Sequence, residues 1–196
     1  MNVLYEDSGT FKVATVLADG ENSVQVEAPH GKRTTIKSKD VLLRFSEPGA
    51  AELLEQAHAM ADGMDADFLW ECCGAEEFGF ADLAREYCGH PPSPLEAAGI
   101  LVKLHSAPAY FYRKGRGRYR AAPPETLRAA LAGIEKKKQQ QAQVAAWAEQ
   151  LARGVFPDEF RPLRDQLLYR PDGNRPETKA LDEACDKLKT TPAKLF

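Results

Sequence analysis

The stretch YFYRKGRGRYRAAPP, residues 110–124, carries the side chains best suited to chemistry. Five cations, Arg113, Lys114, Arg116, Arg118 and Arg120, fall within eight residues, beside the rings of Tyr110, Phe111, Tyr112 and Tyr119. Guanidinium groups bond phosphate oxygens in pairs, and an exposed ring stacks on a base. Lys136, Lys137 and Lys138 form a second cationic cluster further along. Together with Tyr119, these eight cations are the expected nucleic-acid-binding residues. Two plainer readings compete: a hairpin kept soluble by its charges, and a docking surface for acidic protein. The density of cations and the glycine-flanked tip favour nucleic acid.

Other reactive groups are dispersed. His30, His58, His90 and His105 share no spacing, and Cys72, Cys73, Cys88 and Cys185 form no C-x-x-C pair. Neither set predicts a zinc site. The cysteines are read as buried thiols in a reducing compartment, hence a cytoplasmic protein. Asp62, Asp65, Asp67 and Glu71 resemble a metal cluster in composition. However, Asp65 and Asp67 lie two apart and diverge on a helix, so they are read as helix-start carboxylates. Trp70 and Trp147 are assigned to packing. No nucleophile elbow, P-loop or dinucleotide fingerprint occurs. No catalytic residue, metal ligand or cofactor is therefore expected within this chain.

The elements that position the cationic stretch follow from periodicity. In 196 residues, 43% hydrophobic and 28% charged, one large or several small globular units are expected. No apolar run approaches the ~20 residues that span a bilayer, so no membrane partner is expected. The net charge of −3 conceals a polarised chain: residues 1–99 hold 7 basic and 18 acidic side chains, residues 100–153 hold 11 and 3. Residues 1–46 contain short alternating runs, FKVATVLA, SVQVEA, RTTIKS and DVLLRF, broken by Gly-containing turns. They predict a meander closing into a small SH3-like β-barrel.

Residues 47–122 predict helices and then a hairpin. SEPGAAELLEQAHAMADGM shows a helical stripe. DADFLWECC, FADLAREYCG and PPSPLEAAGILVKLHS make a helical trio, the last opened by a capping box at Ser93 and Glu96 with Pro94 at its first position. Leu95, Ala98, Leu101, Val102 and His105 form its apolar face. Three helices followed by a hairpin describe a winged helix, a helix-turn-helix variant whose wing is the cationic stretch. The hairpin alternation places Phe111 with the arginines and turns Tyr110, Tyr112 and Tyr119 toward the helices. The third helix starts with Ser93, Pro94, Leu95, Glu96 and Ala97, poor equipment for reading base edges. A backbone-directed, sequence-tolerant contact is expected instead. Residues 123–196 predict a long helix and a helical connector, so the fold class is α+β. The TTPAKLF end opens a helix without completing two turns, which predicts a longer parent polypeptide.

The segments FLWE, FGFADLAREYCG, HSAPAYFYRKGRGRYRAAPPE and LLYRPDGNRPETKAL, in this order, resemble the N-terminal region of bacterial ribonuclease II-family exoribonucleases. The likeness is to the subgroup with a winged helix in place of cold-shock domains. It covers most of the chain and includes no catalytic signature. It implies a parent that hydrolyses RNA from the 3′ end, with Mg²⁺ held by aspartates in a downstream domain and an S1-type domain after it. This chain would then guide RNA or single-stranded nucleic acid toward its own catalytic domain, or pack on that domain, and be inactive alone. The rival expectation is a stand-alone winged-helix transcription regulator that binds DNA and dimerises through the long helix.

Overall fold

Strand β1 (Asn2–Asp7) is buried on both faces, and the rest of the N-terminal region is built around it. A computed structural model describes residues 1–196. β1 pairs antiparallel with β2 (Thr10–Asp19) and with β5 (Val41–Phe45). β3 (Ser23–Glu27) and β4 (Arg33–Lys37) extend the sheet in the order β4-β3-β2-β1-β5. No ladder joins β4 to β5, so the expected closed barrel does not form. Along β1, Val3 and Tyr5 join a small cluster with Ala14, Val24 and Val26. Leu4, one residue out of phase, enters a second and larger core with Val13 and Phe45. Successive strand residues face opposite ways. Two-sided burial therefore erases the alternation by which a strand is recognised, and β1 shows none.

The larger core lies between this sheet and four helices: α1 (Ala50–Asp62), α2 (Ala66–Glu71), α3 (Phe80–Cys88) and α4 (Pro94–Ser106). Asp65 caps α2 by accepting from the Asp67 and Phe68 amides, the helix-start role expected of that carboxylate. α3 stops at Gly89, whose φ of +70° suits glycine. α4 begins with the expected capping box at Ser93 and Glu96. It is not half-buried, however. Ala97, Ala98, Gly99, Ile100, Leu101, Val102 and Leu104 are all buried, against α1, α3, β5 and the following strand. His105, expected on the apolar face, is exposed, with its ring 4.8 Å from that of Phe11.

A three-stranded sheet, ordered β6-β8-β7, closes this region: β6 (Glu77–Gly79), β7 (Phe111–Gly115) and β8 (Arg118–Ala121). β6, only three residues long, interrupts the helical trio and has no signal in the sequence. Helix α5 (Pro124–Ala152) follows as a single helix of 29 residues. The chain divides into two compact units, residues 1–127 and 128–196. The N-terminal five-stranded sheet and the helices after it thus share one unit and one core rather than separating near residue 46. The second unit packs Ala148 and Leu151 of α5 against a 3-10 segment (Asp158–Leu163), α6 (Arg164–Tyr169) and α7 (Pro176–Leu188). Phe160 is at its centre, with Trp147 edge-on to it at 5.3 Å. The terminal α8 is one turn, Pro192–Leu195, with Thr191 at its N-cap.

Gly117 turns the β7–β8 hairpin at φ +65°, and a Cβ there would lie 2.8 Å from Phe80 Cδ1 and 3.2 Å from Leu42 Cδ2. Both the backbone and the packing demand glycine. Gly117→Ala should lower stability by about 2 kcal/mol or more, measured as a reduced urea midpoint at unchanged slope.

Candidate nucleic-acid interface

The cationic stretch forms the expected hairpin, but its faces differ from simple alternation. Arg113 pairs with Tyr119 and Phe111 with Ala121, while Gly115 pairs with Arg118. The register shift between Arg113 and Gly115 is a β-bulge, which adds one residue to β7 and exchanges the faces of the tip. Phe111 and Tyr119 consequently both point into the core. Tyr112, Arg120 and Glu77 share the outer face, since Arg120 is the paired neighbour of both others. The expected grouping, with Phe111 outward and Tyr119 beside Tyr112, is corrected accordingly. Tyr119, buried, has no face to offer a base.

Three of the arginines meet carboxylates. Arg113 is ion-paired with Glu6 of β1, and Arg116 with Asp40 in the 3-10 turn Ser38–Asp40. Arg118 Nε lies 2.5 Å from Glu77 Oε1 of β6. Arg120 donates from Nε to the Ala75 carbonyl at 3.0 Å. The hairpin is thus fastened to the N-terminal five-stranded sheet and to β6. Lys114 and Arg120 are exposed, and neither makes an ion pair.

Glu6 is the buried member of this set, with its side chain 4% exposed. It lies two residues from Leu4 and so faces the helices and the hairpin. A carboxylate in that position is costly without a cationic partner, which Arg113 supplies. Trp70 serves the same region, donating its indole N–H to the Ala122 carbonyl at 2.8 Å and tying α2 to the end of β8. Burial, with Glu6 nearby, pushes the Tyr119 phenol up to about 12.

Lys136, Lys137 and Lys138 lie in the middle of α5, where every residue from 132 to 143 is exposed. None of the three forms an ion pair. Successive helix residues are about 100° apart, so these ammonium groups point to different sides of the helix. The first unit holds 13 basic and 19 acidic residues, and the second 13 and 10. Free positive charge is therefore concentrated on α5 rather than on the hairpin.

The cysteines are free, and only Cys185 is buried; Cys72 is exposed, and Cys73 and Cys88 are partly covered. Burial pushes the Cys73 thiol up to about 12, and it donates to the Leu69 carbonyl, so it is inert. Sequence reasoning passed over one grouping: Cys88, His90 and Glu96 bring one donor atom each to within 4.8 Å of one another. The signal lay in a Cys-x-His pair straddling the helix stop at Gly89, with His90 six residues before a capping-box glutamate. Comparison of the chain with protein-family models, curated proteins and solved structures finds no match.

Arg113→Ala leaves Glu6 buried without its cation. Because Arg113 is itself 44% exposed, the loss should be about 2 kcal/mol, below the 3–5 of a fully enclosed pair. Adding Glu6→Gln should recover part of it, as a double-mutant denaturation cycle would measure. Tyr119 gives an alkaline signature. Its pKa is about 12 folded against 10 unfolded, so the native state keeps a proton that the unfolded chain releases. Stability present below pH 10 should fall between pH 10 and about 12, and Tyr119→Phe should flatten that decline in pH-dependent urea titrations.

Proposed function

We propose that this chain is the N-terminal part of a ribonuclease II-like exoribonuclease and makes a sequence-tolerant contact with single-stranded RNA. The observation that carries the contact is the solvent-surrounded stretch of α5 with Lys136, Lys137 and Lys138 unpaired. On the hairpin, Lys114 and Arg120 are the cations left for phosphate, with Tyr112 beside Arg120. Arg113, Arg116 and Arg118 are held by carboxylates and serve first to fasten the hairpin. A winged-helix reading of residues 66–121 is supported by the order helix, strand, helix, helix, strand, strand and by the sheet order β6-β8-β7. An SH3-like reading of the first sheet is supported by its meander, in which the last strand returns to pair with the first.

A regulator that reads duplex DNA would place the start of α4 in the major groove. Here that helix is buried along most of its length, and its first turn presents Leu95 and Glu96. Phosphate contact by flexible lysines needs no such insertion. In the proposed enzyme the Mg²⁺-dependent hydrolysis belongs to a separate catalytic domain, and this chain positions RNA or packs on that domain.

The test is a fluorescence-anisotropy titration of labelled single-stranded RNA across salt concentrations, beside duplex DNA of equal length. Wild type should prefer RNA. Lys136→Glu/Lys137→Glu/Lys138→Glu should abolish binding, and a milder Lys→Gln set should reduce the salt slope by about 2, at roughly 0.7 per phosphate. Arg116→Glu/Arg118→Glu should lower stability more than affinity. Absence of binding at low salt, or sequence-specific duplex binding, would overturn the reading.

A further inference from the structure

The turn between α3 and α4 gathers three different metal-ligand chemistries within nine residues. Cys88 is the last residue of α3, His90 follows the Gly89 stop, and Glu96 is the third residue of α4. Their donor atoms, Cys Sγ, a His ring nitrogen and a carboxylate oxygen, lie within 4.8 Å of one another. His90 Nε2 and Glu96 Oε1 are 3.6 Å apart. A tetrahedral Zn²⁺ with bonds of about 2.0–2.3 Å holds its ligand atoms roughly 3.3–3.8 Å apart. Only a small side-chain adjustment separates the observed spacing from that geometry.

The outer contacts of these residues point the same way. His90 Nδ1 lies 3.0 Å from the Pro91 carbonyl. A carbonyl only accepts, so Nδ1 carries a hydrogen, and Nε2 is the nitrogen that the neutral ring offers as a ligand. A metal-bound histidine characteristically has this backbone partner behind it. Glu96 is divided similarly. Its Oε2 accepts from the Ser93 amide at 2.7 Å to complete the capping box, while Oε1 faces His90. The Cys88 Sγ completes the group, within 4.8 Å of the other two donor atoms. His90 and Glu96 thus each have one atom held by a backbone partner and one left near the other donors. The His90 side chain is 56% exposed, which leaves an entry path from solvent.

We infer that Cys88, His90 and Glu96 form a Zn²⁺ site that staples the α3–α4 turn, with three protein ligands and one position open to water or a fourth donor. Thiolate, imidazole and carboxylate together select zinc over magnesium or calcium, which prefer all-oxygen shells. Loading converts the Cys88 thiol to a metal-bound thiolate, and its proton leaves to solvent. The site is independent of the RNA reading.

Co²⁺ titration of the full reduced chain reads the site directly, because thiolate–Co²⁺ charge transfer absorbs in the near ultraviolet. One equivalent should produce that band, with d–d absorption of tetrahedral intensity, and Zn²⁺ should displace it. Cys88→Ser and His90→Asn should each abolish the band. Glu96→Gln should weaken it at least tenfold in affinity while keeping the helix cap, because glutamine also serves at that cap position. Cys72→Ser/Cys73→Ser should leave the band unchanged, and Zn²⁺ should raise the Tm of wild type but not of His90→Asn. His90 is exposed, so His90→Asn remains folded even where Cys88→Ser does not. A band absent from wild type, retained in His90→Asn, or lost only with Cys72 and Cys73 would overturn the proposal.

Discussion

Helix α4 is apolar on nearly every side, and the first unit is organised to cover it. A helix with one apolar stripe needs one neighbour, whereas a helix apolar all round must be enclosed. α1 and α3 cover it among the helices, and β5 and β7 complete the enclosure. Gly99 lets α1 approach closely: a Cβ at that position would stand 2.7 Å from Met60 Sδ. Because β5 belongs to the N-terminal sheet, enclosing α4 draws that sheet into the same core. The sheet is then buried on two faces along β1, and a carboxylate on the inner face, Glu6, requires a cation.

The hairpin supplies that cation. Its arginines appear along the chain as a single positive block, yet in the fold they face the acids of the preceding hundred residues. Glu6, Asp40 and Glu77 come from three separate segments, and each meets one guanidinium. Ion pairs between half-exposed groups contribute little individually, roughly 0–1 kcal/mol. The Glu6 pair differs because its acid is enclosed. The electrostatic effect is also one of register: the arginines hold the hairpin at one place on the sheet, while Gly117 fits against Phe80 and Leu42. Charge available to a polyanion is what remains after these pairings. It lies on Lys114, Arg120 and the exposed lysines of α5.

The α3–α4 connection is set by the same enclosure. Two helices that both pack in one core and meet within five residues need a sharp stop and a sharp start. Gly89 provides the first through its left-handed conformation, and the Ser93–Glu96 box provides the second. The cap brings the glutamate back toward the end of α3, where Cys88 and His90 lie. A device that terminates helices thereby gathers donor atoms that are scattered in type and unremarkable in spacing.

Local signals in the chain determined much of the secondary structure. The Gly-containing turns, the Ser93-Pro94-x-Glu96 start, the Gly89 stop, the GRG hairpin and the long helix from Pro124 are all legible, because caps and turns act through neighbouring backbone. β1 and β6 were not, since one is buried on both faces and the other is three residues held by β8 alone. The hairpin faces were misassigned because a bulge leaves no mark in composition. The cationic residues were identifiable by type, but their partners were not. Glu6 and Arg113 are separated by 107 positions, and only the packing of the sheet on α4 brings them together. Residue type and local spacing determine which elements form and which side chains carry charge. Tertiary structure decides which of those charges are spent inside the protein, because pairing depends on distance in space.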